Sequence, residues 1–194
     1  ETISKISKEC LMPLTYGGGI KTIEDIRRLF EIGVEKVAIN THAIENPSFV
    51  KEASNIFGSQ SIIVSIDAKL NSNGKYKVRI NGGTKSTGID PVSLAIKMES
   101  YGAGEIMINS IDRDGLMEGY DLKLINCVAD ALNIPVIACG GARNLNDFRT
   151  TYLNSRASAL AAGSIFVYHG RKKAVLISYP SKKELDGIFS EMVV

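Results

Sequence analysis

Short apolar runs alternate along the chain with amphipathic stretches. The runs occupy positions 13–16, 36–40, 61–67, 105–109, 134–139 and 157–162. Each is brief, mostly apolar and often β-branched, which predicts strands buried on both faces of a sheet. Between them lie helical stripes. Ile23, Ile26, Leu29 and Phe30 share one face and are followed by Gly33 as a stop. Leu94, Ala95 and Met98 form a second stripe, which Asp90-Pro91 opens, and Leu122, Ile125 and Val128 mark a third. Strand alternating with helix predicts right-handed βαβ units and a parallel sheet.

One connection is longer. Between Asp67 and Asp90, turn residues at Asn71-Ser72-Asn73-Gly74 and Asn81-Gly82-Gly83 bracket Tyr76-Lys77-Val78-Arg79-Ile80, which predicts a small β-hairpin. The chain also repeats itself. The segment from Gly18-Gly19-Ile20-Lys21 to Arg27 matches that from Gly140-Gly141-Ala142-Arg143 to Arg149, at an offset of 140 − 18 = 122. The following runs, Val37 to Asn40 and Ala159 to Ala162, keep that offset. Each copy opens with a strand, a Gly-Gly turn and a helix with Asp at one place. Four βα units per repeat, taken twice, make an eightfold barrel of roughly 250 residues. With 194 residues and six strands, the chain is expected to be an α/β (β/α)8 TIM-type barrel lacking its first two βα units. Residues 1–194 form one incomplete domain in this reading. Such an open sheet is expected to expose two strand edges and to self-associate.

Composition narrows the function. The chain carries 23 Lys+Arg against 21 Asp+Glu, too even a balance for a dedicated nucleic-acid binder. Arg171-Lys172-Lys173 reads as a solvated turn. Cys10, Cys127 and Cys139 show no CxxC pair and no metal spacing, which points to a reducing, cytoplasmic setting. Cys139 reads as a small buried hydrophobe. No apolar run is long enough to span a membrane.

Candidate chemistry gathers at strand ends. Gly17-Gly18-Gly19 and Gly140-Gly141 each stand between a strand and a helix. Glycine there lets a ligand approach the backbone, and free N–H groups favour an anion, although a tight βα turn also wants glycine. Asn40-Thr41 and Gly163-Ser164 are the next polar strand ends, so two phosphate sites on opposite sides of the mouth are expected. Asp67 ends its run and is either a general acid–base or a turn-capping carboxylate. Asp112-Arg113-Asp114-Gly115 is a salt-bridged loop or a substrate clamp. His42 reads as a surface residue at a helix start that could approach a phosphate. Lys36 and Glu105 begin their strands, at the opposite end from the mouth.

The segments Pro13-Leu14-Thr15-Tyr16-Gly17-Gly18-Gly19-Ile20, Lys36-Val37-Ala38-Ile39-Asn40-Thr41, Phe57-Gly58-Ser59-Gln60, Ile66-Asp67-Ala68-Lys69, Gly102-Ala103-Gly104-Glu105-Ile106 and Ser110-Ile111-Asp112-Arg113-Asp114-Gly115 occur in this order. Together they resemble the HisF family, the cyclase subunit of imidazole glycerol phosphate synthase in histidine biosynthesis. The resemblance implies a barrel that takes ammonia from a HisH-like glutaminase partner. It implies joining that ammonia to a phosphoribulosyl formimino-aminoimidazole-carboxamide ribonucleotide. Cleavage and cyclisation then give imidazole glycerol phosphate and an aminoimidazole ribonucleotide. It implies no metal and no organic cofactor.

By the same resemblance Asp67 is one of two acid–base carboxylates. Gly19, Asn40 and Thr41 would hold one phosphate. Gly115, Gly140, Gly141, Gly163 and Ser164 would hold the other, with Asp114 facing the substrate. Lys36 and Glu105 would gate ammonia, and Gln60 and Glu35 would lie on the glutaminase face. The second carboxylate would fall at 67 − 122 = −55, before Glu1, so the chain by itself is expected to be inactive. Asn109 stands where the family usually has Thr, Arg143 where it has Gly, and Glu35 where it has Asp. The ending from Tyr168 to Ser181 resembles HisF paralogues found with surface-polysaccharide enzymes, which implies the alternative of delivering ammonia for amidino-sugar formation.

Overall fold

Each apolar run becomes a strand, and the strands join in chain order. In a computed structural model, which describes residues 2–170 and 174–189, six parallel strands form one curled sheet. They are β1 (Thr15–Gly17), β2 (Lys36–Ile39), β3 (Ile62–Leu70), β6 (Glu105–Ser110), β7 (Val136–Cys139) and β8 (Ala159–Leu160). β1 and β8 are its edges. The expected incomplete barrel of six parallel strands is thus the observed architecture. The basic patch at 171–173 lies outside the described residues.

The helices are α1 (Thr2–Glu9), α2 (Ile23–Glu31), α3 (Thr41–Glu45), α4 (Pro47–Phe57), α5 (Pro91–Ser100), α6 (Leu122–Ala129), α7 (Leu145–Asn154), α8 (Ser164–Val167) and α9 (Lys182–Phe189), of which α2, α4, α5, α6 and α7 bury apolar residues in the core while α3 and α8 begin at the mouth. Burial alternates with the strand period of two. Ile62, Val64 and Ile66 on β3 and Ile106 and Ile108 on β6 are fully buried under the helices. Their neighbours Ser65, Asp67, Glu105, Met107 and Asn109 are half-buried on the concave side. The core therefore lies between sheet and helices, and the concave face is left for chemistry.

Two starts show why the 122-residue repeat carries Asp at one place. At α2, Thr22 Oγ1 accepts from the Asp25 N–H at 3.1 Å, while the Asp25 carboxylate accepts from the Thr22 and Lys21 N–H groups at 2.9 and 3.1 Å. At α7, Asn144 Oδ1 accepts from the Asp147 N–H, and Asp147 accepts from Arg143 and Asn144 N–H at 2.8 and 3.3 Å. Both are capping boxes that also tie down the preceding Gly-Gly turn.

The hairpin differs from expectation in one respect. Its first arm is β3 itself, which continues three residues beyond Asp67 to Leu70 because β4 (Tyr76–Ile80) pairs antiparallel with it. Asp67 is therefore inside a strand rather than at its end. β4 turns again into β5 (Lys85–Ser86). The hairpin is braced on both flanks. The Tyr76 hydroxyl donates to Asp121, 2.9 Å from both carboxylate oxygens, and the Leu70 N–H donates to Asp112 at 2.7 Å. On the other flank the Asn81 N–H donates to Thr41 Oγ1 at 3.1 Å. The tail adds a second small sheet, β9 (Tyr168–His169) against β10 (Ala174–Val175). No described helix is long and apolar enough to cross a membrane.

Candidate functional site

The parallel register brings the carboxyl ends of β2, β3, β6 and β7 to one mouth. Asp67 is the Cα partner of Asn109 on β6 and of Arg79 on β4. Asn40, just after β2, donates from Nδ2 to Asp67 Oδ2 at 2.9 Å, and Asn109 donates from Nδ2 to Oδ1 at 3.1 Å. The carboxylate thus sits at mid-mouth with both oxygens held by amides.

A cavity of about 410 Å³ opens on one side of Asp67. Gly19, Asn40 and Thr41 line it, as expected for the first anion site. Gly19 has φ +74 and open space where a side chain would project, so the turn presents bare backbone to the cavity. Lys21, His42, Asn81 and Gly82 also line it. His42 stacks edge-on against Phe49, 4.7 Å between ring centroids, which fixes the imidazole at the cavity wall. It is a helix-start residue, as read, but half-buried rather than a plain surface one. Lys21, Asn81 and Gly82 line the cavity beyond the residues expected from the sequence. Lys21 had a signal: it and Arg143 are basic residues at the same place in the two repeats.

On the other side of Asp67 a small depression is lined by Asp114, Gly115, Gly140, Gly141, Gly163 and Ser164, the whole expected second set. Cys139 joins them. The apolar run predicts a buried residue here, but the strand period turns Cys139 to the concave face. Burial, and next the charge of Asp114, push its thiol pKa above the ordinary value, so it is held as a neutral thiol. The Asp112–Gly115 loop is not internally salt-bridged. Asp112 anchors the hairpin through Leu70, while Arg113 donates to the Glu118 and Gly119 carbonyls at 3.3 and 3.1 Å.

At the opposite end of the strands Lys36 Nζ donates to Glu105 in an ion pair that reaches across the foot of β3. Four residues of strand separate that level from Asp67, about 13 Å. Ala38, Ser65 and Met107 occupy the concave face between the two levels. Glu35 and Gln60 are exposed on the same lower rim, beside the starts of β2 and β3. Among the described residues no three His, Cys, Asp or Glu side chains gather in a metal-binding cluster.

Comparison with known proteins identifies relatives over most of the chain. A family model described as histidine biosynthesis protein matches residues 1–173. A provisionally named imidazole glycerol phosphate synthase subunit hisF2 of Pseudomonas aeruginosa is 45% identical over 186 residues, 96% of this chain and 74% of that protein. A provisionally named subunit HisF of Leptospira interrogans is 43% identical over 188 residues, again 96% and 74%. Subunit HisF of imidazole glycerol phosphate synthase from Alkaliphilus metalliredigens is 41% identical over 169 residues, 87% of this chain and 67% of that protein. With this family match and these relatives over most of its length, the chain belongs to the HisF family of imidazole glycerol phosphate synthase subunits.

Proposed function

We propose that the chain carries the cyclase centre of imidazole glycerol phosphate synthase, acting on a bis-phosphorylated ribonucleotide with ammonia from a glutaminase partner. The observation that carries the reading is the position of Asp67 between two backbone-rich cradles. A substrate with a phosphate at each end would bridge them and lay its reacting middle over the carboxylate. At the first cradle the phosphate would meet the Gly18-Gly19 turn and Thr41, with Lys21 and His42 on the wall of the same cavity. At the second it would meet Gly115, Gly140, Gly141, Gly163 and Ser164. Two anchored ends convert the middle into a positioned reactant.

Asp67 would serve as acid–base group, moving protons as ammonia adds and the ring closes. Lys36 and Glu105 would form the ammonia entrance. Ammonia admitted there would pass Ala38, Ser65 and Met107 on its way to Asp67. Gln60 and Glu35, on the rim around that entrance, would face the glutaminase. The chemistry calls for no metal. Incubating the gene product as encoded with the ribonucleotide and an ammonium salt tests the reading. Imidazole glycerol phosphate is the expected product, and its absence would sink the proposal.

A second reading is delivery of ammonia to a sugar-amidating enzyme. The tail favours it: Tyr168, His169, Ser178 and Tyr179 wall a separate cavity of about 440 Å³ with Arg143 and Met117, close to the second cradle. Rescue of a histidine auxotroph lacking its own cyclase would count against it.

A further inference from the structure

Asp67 is surrounded by broken hydrogen-bonding rules. Three buried side-chain polar atoms among the described residues lack a partner: Asn40 Oδ1, Asn109 Oδ1 and Arg79 Nε. All three belong to residues that border Asp67, two through hydrogen bonds and one as its Cα partner on β4. Orphaned buried polar atoms are rare and destabilising, and a cluster of them marks a place where function outweighs stability.

The pattern has one arrangement in common. Each Asn turns its N–H₂ to the carboxylate and leaves its oxygen unmatched. The opposite amide orientation would set oxygen against oxygen, so the carboxylate dictates the choice. Arg79 stands on the same face as Asp67 yet donates from Nη1 to the Gly83 carbonyl at 3.3 Å and forms no ion pair with the carboxylate. Both oxygens of Asp67 are therefore fixed by neutral donors from opposite sides, and the available cation is turned away.

We infer that Asn40 and Asn109 are positioning residues that lock the orientation of the Asp67 carboxylate while leaving its negative charge uncompensated for the reacting centre. The inference rests on the cyclase reading of Asp67. A neutral grip does what a salt bridge cannot: it fixes geometry without supplying a counter-charge, so the carboxylate can stabilise positive charge that develops on the substrate. Asn109 is the more informative partner. Asn40 adjoins the first anion cradle, whereas Asn109 lines neither cavity and meets Asp67 across the ladder.

The test compares Asn109→Val with Asn109→Thr in the gene product as encoded, using the ribonucleotide and an ammonium salt. The two replacements share a shape and differ by one hydroxyl donor. Asn109→Val should lower kcat about tenfold, the effect of losing one hydrogen bond to a charged group, and leave KM unchanged. Asn109→Thr should restore kcat to within about threefold of wild type and melt higher, because it keeps a donor and removes an orphaned oxygen. Equal loss of kcat in both variants, or full kcat in the valine variant, overturns the inference.

The side-chain amide spectrum of the ligand-free protein decides it independently of turnover. The Asn40 and Asn109 N–H₂ signals should move on Asp67→Ala, while those of exposed Asn73 stay still. Unmoved signals at Asn40 and Asn109 overturn the grip. If the wild type makes no product although those signals respond to Asp67→Ala, the cyclase reading falls and the grip stands.

Discussion

Gly163 and Gly141 face the same depression, yet alanine should act on them in opposite ways. Gly163 has an ordinary negative φ of −127, and a Cβ there would meet nothing within 4 Å. Gly163→Ala should leave the melting temperature unchanged but weaken inorganic phosphate binding, because the methyl enters the space the anion would occupy. Calorimetric titration checks this, and unaltered affinity would remove Gly163 from the site. Gly141 has φ +109, and its Cβ would come within 2.3 Å of the Gly119 carbonyl oxygen. Gly141→Ala should therefore destabilise the fold by about 1–3 kcal/mol, read by denaturant unfolding. Tyr76 gives a third residue-scale expectation. Burial, then its bond to Asp121, raises its hydroxyl pKa well above the ordinary value. A raised folded value stabilises the fold fully below the unfolded value of about pH 10, and the benefit fades as pH climbs through the folded value. Tyr76→Phe should cost about 1 kcal/mol at neutral pH and flatten the alkaline limb of the stability curve.

At the scale of elements, the two capping boxes hold both the helix starts and the Gly-Gly turns before them. Thr22→Ala should cost about 1 kcal/mol and loosen the first cradle, seen as faster exchange of the Gly18 and Gly19 amides. The N–H of Lys21, then the Thr22 side chain and N–H, hold Asp25 below the usual carboxylate range. That stabilisation is present above the ordinary value and is lost as pH falls through the depressed folded one. Acid unfolding of the Asp25→Asn variant should accordingly begin from a lower plateau. The six strands were legible because parallel strands buried under helices must be short and apolar, and each run shows this. The reach of β3 was not, because residues 69 and 70 are kept in the sheet by pairing with β4 alone rather than by their own pattern. The same limit applies at β8, where the run from 157 to 162 yields only Ala159–Leu160, since an edge strand has a ladder on one side alone.

The whole molecule joins these parts into one face with a lower ion pair and an upper mouth. That Gly19, Asn40, Thr41, Gly141 and Ser164 gather at the mouth was legible from position, because strand ends must converge there, whereas Gly115 follows only from the family resemblance. Asn81 and Gly82 could not, since they reach the first cavity through a hairpin anchored to Thr41, a contact made 40 residues away in the chain. The place of Cys139 is not legible in the sequence, because an apolar run does not say which of its residues face the lumen. The curled sheet also leaves β1 and β8 unpaired on their outer sides, with Leu11 fully exposed and Met12 68% exposed beside one of them. The 194-residue chain should self-associate, and a monodisperse monomer by sedimentation would contradict that expectation. The central claim is that Asp67 does the acid–base work between two anion cradles. It is tested most directly by steady-state turnover of the ribonucleotide with an ammonium salt, comparing the gene product as encoded with its Asp67→Asn variant. The account predicts imidazole glycerol phosphate from the wild type and a kcat at least about 100-fold lower in the variant at similar KM. Equal kcat in the two proteins would contradict it.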